Sequence, residues 1–474
     1  MFWSFSDSMA TQLVQFSVGL VLARLLSPEE FGLIGMITVF IALTQSLVDS
    51  GFGQALIRKK EASDSDYSTV FYFNFIAGLI FFLAFYLSAP AIAGFYELPE
   101  LTDIARVLGV IILINSASTI QRTILIREVS FRPLMKVNLT AAIISGAIAI
   151  IMALTGFGVW SLVWRSITGS VVQSIMLWSN GRWKPVLTFS RDSLKSLFSF
   201  GSKLLLSGLI DTIYRNVYLL IIGKFFSAAD LGYYTRADQF SRLASQNLTG
   251  TVQRVSFPVL SQVQDEDERL KSGYKRLILS TMFISFFVML GLVAVAEPMI
   301  VTLIGEKWLP SVEYLQLISL GAMLYPLHAL NLNILNVKGR SDLFLKLELL
   351  KKLLAVPVII AGIFLGIRAM LIGMVILSFI AYFLNGYYSG RLIRFPVSEQ
   401  IADIAPSFLA ALSTSFVAYS LTLVFQIHPA LMLLMQMTLI ALLMVGTGRI
   451  FNLKGYKEIR RIIVEKKPKL GSLL

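Results

Sequence analysis

The chain of 474 residues contains no cysteine, only two histidines (His328 and His428), and charged residues make up just 15% of it. The missing thiols exclude a disulfide framework and any thiolate metal site, and two histidines leave a zinc centre almost without ligands. No Walker-type loop is present, so ATP hydrolysis is not expected. The ten-residue blocks of alternating polarity that mark an outer-membrane barrel are also missing.

What is there instead is apolar. Hydrophobic residues make up 56% of the chain, with a mean hydropathy of +0.74. Apolar runs long enough to cross a bilayer core of about 30 Å as helices recur from end to end. The excess of 41 Lys and Arg over 28 Asp and Glu therefore reads as orientation of membrane loops, and nucleic acid is not an expected partner. Residues 1–26 run straight into a spanning helix with no basic stretch and cleavage site before it.

Polar clusters and Pro/Gly punctuation divide the chain into fourteen candidate spans, near 5–25, 32–55, 69–94, 102–126, 135–156, 158–179, 197–222, 231–258, 276–304, 311–336, 343–366, 368–392, 402–426 and 429–450. The odd-numbered turns hold few basic residues, Arg24, Lys224, Lys307 and Arg368, whereas the even-numbered turns and the tail are rich in them. The positive-inside rule then puts both termini in the cytoplasm. The short outward turns leave no room for a catalytic subdomain.

The first outward turn, "LARLLSPEEFG" (22–32), has a helix-start signature: Ser27 as N-cap, Pro28 in the first turn, and Glu30 closing a capping box. The same turn returns 200 residues later. Arg24 aligns with Lys224, Ser27 with Ser227, Glu30 with Asp230 and Gly32 with Gly232. "APAIAGFYELPEL" (89–101) is likewise echoed by "EPMIVTLIGEKWLPSV" (297–312), and "RTILIREVSFRPLMK" (122–136) by "LNILNVKGRSDLFLK" (332–346). The expected architecture is an all-α polytopic membrane protein of about fourteen transmembrane helices. Two homologous six-helix lobes (1–180 and 197–394) are joined by a linker (181–196) that reads as an interfacial helix. A helix pair (395–452) and a basic tail (453–474) follow. The tail suits an anionic leaflet or a partner from an assembly machinery. The charged stretch at 264–276 reads as a solvated loop.

"LARLLSPEEFG", "DSGFGQALIRKK" (49–60) and "AIAGFYELPEL" (91–101), in this order and with these lobes, resemble the polysaccharide-transporter branch of the multidrug/oligosaccharidyl-lipid/polysaccharide superfamily. Within it, the chain is most similar to exporters of the colanic-acid and teichuronic-acid type. The resemblance implies a V-shaped pair of lobes that opens alternately to each side of the bacterial inner membrane and flips lipid-linked saccharides. The implied partners are a lipid-linked oligosaccharide, membrane lipids, and a polymerase or export machinery.

Ionisable residues at membrane depth are costly unless they face water or a partner, so they mark candidate sites. Lys203, Ser207, Asp211 and Arg215 share one face of the seventh span, and Asp7, Thr11 and Gln15 occupy the corresponding face of the first. Gln239, Arg242, Gln246 and Thr249 form a stripe on the eighth span; Thr38, Gln45 and Asp49 form one on the second. On this reading Arg215, Arg242, Lys203 and Arg122 hold an undecaprenyl-type pyrophosphate, because a guanidinium fork binds phosphate oxygens in pairs. Gln15, Gln45, Gln239 and Gln246 meet the sugars.

Each assignment has a plainer rival: Arg215 pairs with Asp211, and Arg122 simply obeys the positive-inside rule. Asp7, Asp49, Asp211 and His328 are candidates for coupling to H⁺ or Na⁺, with no other cofactor expected; the alternative for His328 is a bond to a neighbouring helix. Two other functions stay open, a multidrug or small-cation exporter of the same superfamily and a membrane-integral saccharide polymerase or ligase.

Overall fold

A computed structural model describes the backbone of residues 2–49, 51–181 and 183–466; the side chains of 2–8, 199, 200, 203, 255 and 462–466 lie outside that description. The described residues are helical from end to end. In chain order the helices are α1 (Phe2–Leu25), α2 (Pro28–Asp49), α3 (Phe52–Arg58), α4 (Asp64–Tyr96), α5 (Leu101–Arg127), α6 (Phe131–Leu154), α7 (Val159–Asn180), α8 (Arg191–Phe225) and α9 (Ala228–Ser261). There follow α10 (Asp267–Ala294), α11 (Ala296–Ile304), a 3-10 turn (Glu306–Trp308), α12 (Ser311–Ala322), α13 (Tyr325–Val337), α14 (Ser341–Leu365), α15 (Ile367–Leu392), α16 (Val397–Val424), α17 (Pro429–Ile450) and α18 (Lys454–Lys466).

By length and apolarity ten stretches suffice to cross a membrane: α2, α4, α5, α6, the Leu204–Phe225 part of α8, α10, the α12–α13 pair, α15, α16 and α17. The other four of the fourteen expected spans coincide with α1, α7, α9 and α14, which have 24, 22, 34 and 25 residues. The described apolar stretch of α1, Met9–Leu25, falls short in length, whereas α7, α9 and α14 carry Arg165, Arg242 and Lys351 among other polar residues. In a bilayer that is the pattern of helices with a face turned to protein or water.

The chain clusters into two compact units, Met1–Thr235 and Arg236–Leu474, dividing within α9. In the first unit α4 packs on α5, α6 packs on both α1 and α7, and α8 packs on α2. Lipid tails offer no hydrophobic gain for such contacts, so close backbone approach carries the packing. Gly146 of α6 shows this: a Cβ there would stand 2.5 Å from a Val18 methyl of α1.

Local chemistry forms the elements as expected. The Ser27 backbone N–H donates to the Glu30 carboxylate at 2.7 Å, and the Glu30 N–H donates to Ser27 Oγ at 3.3 Å, which makes a closed capping box. Ser227 and Asp230 repeat it at 3.2 and 3.0 Å. Ser63 and Asp66 build a third box at the start of α4.

The linker is not a separate helix. Residues 183–190 run without helix, held by Val186 N–H on Ser68 Oγ and Ser190 N–H on Thr69 Oγ1, each at 3.0 Å. From Arg191 the chain continues without a break into α8.

In the second unit a core of Tyr274, Phe283, Phe287, Leu327 and Phe395 lies among α10, α13 and the α15–α16 connection. Where α4 and α5 run continuously in the first unit, their repeat counterparts are each broken in two, at Val295 between α10 and α11 and at Met323–Leu324 between α12 and α13. Pro298 and Pro326 sit in the first turns after these breaks, where a missing amide proton costs nothing. The charged stretch expected as a loop is helical from Asp267. Its Lys275 pairs with Glu399 at 3.2 Å and with Asp403 at 2.7 Å, and Arg276 pairs with Glu458 at 3.0 Å. The start of the tail is docked too: Tyr456 is buried against Phe283, and Lys454 meets Asp403 at 2.8 Å.

Candidate functional site

In the first unit α1, α6 and α7 line a polar, partly open cavity of about 240 Å³. Its wall on α7 is Arg165, Ser166, Gly169, Ser170 and Gln173, a spacing that puts all five on one helix face. Gln15 lines it from α1. Asn138 and Ser145 line it from α6 beside two small residues, Ala141 and Ala142, which leave the space open. At one end Arg165 donates to the Gln15 backbone carbonyl at 3.3 Å. At the other Gln173 Nε2 donates to Asn138 Oδ1 at 3.1 Å. Of the sequence candidates only Gln15 lies here. The α7 face went unread, although the spacing of 165, 169 and 173 displays it.

A second polar cluster in this unit joins α2 and α5. Gln45 donates to Asp49 at 3.3 Å, and Asn115 donates to Gln45 at 3.3 Å. Arg122 is exposed, two turns along α5 from Asn115.

On α8 Arg215 Nε lies 2.8 Å from the Asp211 carboxylate, so the plainer of the two expected pairings is present. The pair is nevertheless open: the Arg215 side chain is 71% exposed and Asp211 45%. Lys203 and Asp7 fall among side chains outside the description.

In the second unit Arg242 Nε lies 2.5 Å from Asp238, with Arg242 45% and Asp238 19% exposed. Asp238 was missed in the sequence, though it stands four residues before Arg242 just as Asp211 stands before Arg215. Gln239 accepts from Arg236 at 2.5 Å, and Gln246 is exposed.

His328 is 3.1 Å from Ser378 Oγ on α15. The Ser378 hydroxyl donates its one proton to the Gly321 carbonyl at 2.8 Å. It must therefore accept from His328, which assigns the proton to Nε2. His328 Nδ1 is buried with no hydrogen-bond partner among the described residues.

Arg215 and Arg242 each stand near the middle of a helix of membrane-crossing length. A guanidinium at membrane depth is costly unless water or a partner meets it, and each of these two has a carboxylate four residues before it. Among the described residues no group of three or more His, Cys, Asp or Glu could hold a metal ion.

Residues 21–313 match the family described as polysaccharide biosynthesis proteins. The chain is 28% identical over 348 residues to the teichuronic acid biosynthesis protein TuaB of Bacillus subtilis, covering 72% of this chain and 71% of TuaB. It is 26% identical over 423 residues to the lipopolysaccharide biosynthesis protein WzxC of Escherichia coli, covering 87% and 84%. Its fold is that of the lipid II flippase MurJ in an inward closed conformation, with a TM-score of 0.77 at 18% identity over 94% of this chain and 98% of that one. With more than half of its length matched and the architecture in agreement, the chain belongs to the polysaccharide biosynthesis protein family.

Proposed function

We propose that the chain is a flippase that carries undecaprenyl-pyrophosphate-linked oligosaccharide units across the bacterial inner membrane by alternating access, for assembly of an exopolysaccharide or cell-surface polysaccharide. The observation that carries this reading is the pair of exposed arginines, Arg215 and Arg242, halfway along membrane-length helices. A pyrophosphate brings concentrated negative charge, and a guanidinium in a water-filled path binds it in two-pronged fashion without being desolvated beforehand. Asp211 and Asp238 keep the arginines neutralised when no cargo is present, so cargo binding exchanges one anionic partner for another. The names of TuaB and WzxC, both from the biosynthesis of cell-surface polysaccharides, support this class of cargo.

In this reading both termini are cytoplasmic, and the Ser27 and Ser227 turns face outward, following the distribution of basic residues. The repeat lobes 1–180 and 197–394 supply the alternating motion. Coupling to H⁺ or Na⁺ falls to Asp49 and Asp211. A polysaccharide polymerase is the natural recipient of the flipped unit.

Native mass spectrometry of the protein extracted from its own membrane tests the reading. A polyprenyl-pyrophosphate saccharide should copurify, and its yield should fall in Arg215→Ala and Arg242→Ala. Copurification of phospholipid alone, unchanged in both variants, would contradict it.

A further inference from the structure

Among the described residues the α1/α6/α7 cavity holds one formal charge, that of Arg165, and no carboxylate lines it. Arg165 lies six residues into α7, about 9 Å along the helix axis. α6 and α7 contain no Asp or Glu, and in α1 the one acidic residue is Asp7, eight residues from Gln15 and about 12 Å away along the axis. Among the described residues no carboxylate comes within ion-pair distance of Arg165. The guanidinium has five N–H donors, and its hydrogen bond to the Gln15 carbonyl uses little of that capacity. A cation so placed in a membrane protein is costly until an anion meets it.

The remaining wall supplies donors. The side chains of Gln15 and Ser170 make no hydrogen bond among the described residues, and both line the cavity with Arg165. A volume of about 240 Å³ is several times the roughly 30 Å³ that one water occupies in the liquid. That is room for a polyatomic anion and its waters, more than a halide needs.

We propose that the cavity within the first unit is a binding site for a phosphate-type oxyanion, with the Arg165 fork as its anchor and Gln15 and Ser170 as further donors. The site lies inside one unit and is distinct from the exposed arginines Arg215 and Arg242. The same chemistry is offered by a phosphate headgroup of a membrane lipid and by free inorganic phosphate or pyrophosphate.

The test is the thermal stability of the detergent-purified full chain, titrated with inorganic phosphate, inorganic pyrophosphate and a short polyprenyl pyrophosphate, each against sodium chloride at matched ionic strength. At least one of the three should raise the unfolding midpoint saturably. Arg165→Gln should abolish that rise. Arg165→Lys keeps the charge, and hence the fold, but should weaken the half-saturation about tenfold because the fork is lost. A rise with the lipid only assigns the site to a headgroup, and a rise with the inorganic anions assigns it to a soluble one. A rise that chloride reproduces, or that persists in Arg165→Gln, overturns the proposal. Failure here is separable from failure of the flippase reading: a chain that flips its cargo but shows no Arg165-dependent rise loses this site and keeps its function.

Discussion

Gly32 meets the backbone of Ala228 so closely that a Cβ on Gly32 would stand 1.7 Å from the Ala228 carbonyl oxygen. The relationship is reciprocal: a Cβ on Gly232 would stand 1.9 Å from the Pro28 carbonyl oxygen. The four residues are two pairs at the 200-residue offset, Pro28 with Ala228 and Gly32 with Gly232. The starts of α2 and α9 thus cross backbone to backbone at the two repeated turns, in the manner of small-residue contacts between membrane helices.

Because the opposing atoms belong to the backbone, no rotamer change relieves an added methyl. Gly32→Ala and Gly232→Ala should each destabilise the chain by about 1–3 kcal/mol, the ordinary cost of overpacking. Separation forced by one methyl makes room for the other, so the double variant should lose less than the sum of the two. Thermal unfolding of the three variants in one detergent checks this, and strict additivity would count against a shared contact.

The two arginine pairs should respond differently to truncation. Asp211 is exposed enough to be solvated when Arg215 is removed, so Arg215→Ala should change stability by no more than about 1 kcal/mol. Asp238 is more enclosed, and Arg242→Ala should cost more, about 1–3 kcal/mol, for a carboxylate left without its charged donor. Transport should fail in both. Asp238→Asn on top of Arg242→Ala should restore stability and leave transport abolished. A double variant that transports normally would remove Arg242 from the cargo path.

A pH effect is expected where α4 ends. Glu97, with φ of 61°, leaves the helix in the left-handed region and accepts a hydrogen bond from Lys224 of α8 at 2.9 Å. That bond and the Lys224 charge hold the Glu97 carboxyl below its ordinary range. Since the folded-state pKa is depressed, the contribution of the pair is complete above the ordinary glutamate pKa and is lost as pH falls through the lower folded value. The stability difference between the native chain and Glu97→Gln should therefore be constant from pH 7 to about 5 and vanish only in stronger acid. A difference that peaks at low pH would have the wrong sign.

Orientation can be read directly because the chain has no cysteine. A single cysteine at Ser27 or Ser227 should react in intact cells with an impermeant maleimide, and one at Thr188, in the stretch before α8, should react only after the membrane is opened. The reverse pattern would invert the topology drawn from the basic residues.

Local features were the most legible part of the sequence. Capping boxes need only residues three apart, so Ser27–Glu30, Ser227–Asp230 and Ser63–Asp66 are all legible as short local patterns. Long apolar runs gave the helices, but not the breaks at Val295 and Met323–Leu324, because hydropathy passes through a kink unchanged. The stretch 264–276 looked like a solvated loop because the partners of its charges, Glu399, Asp403 and Glu458, lie more than a hundred residues away. The cavity around Arg165 was hidden for the same reason: its walls come from three helices, and only the α7 face has a spacing that reveals it.

The central claim is most directly tested by movement of cargo. The purified chain should be reconstituted into liposomes carrying a fluorescent polyprenyl-pyrophosphate oligosaccharide, and the fraction that becomes accessible to a membrane-impermeant quencher followed over time. The account predicts rapid exchange of the label between leaflets with the native chain, and exchange no faster than in empty liposomes with Arg215→Ala or Arg242→Ala. Native-like exchange in both variants, or none with the intact chain under an imposed H⁺ or Na⁺ gradient, would contradict it.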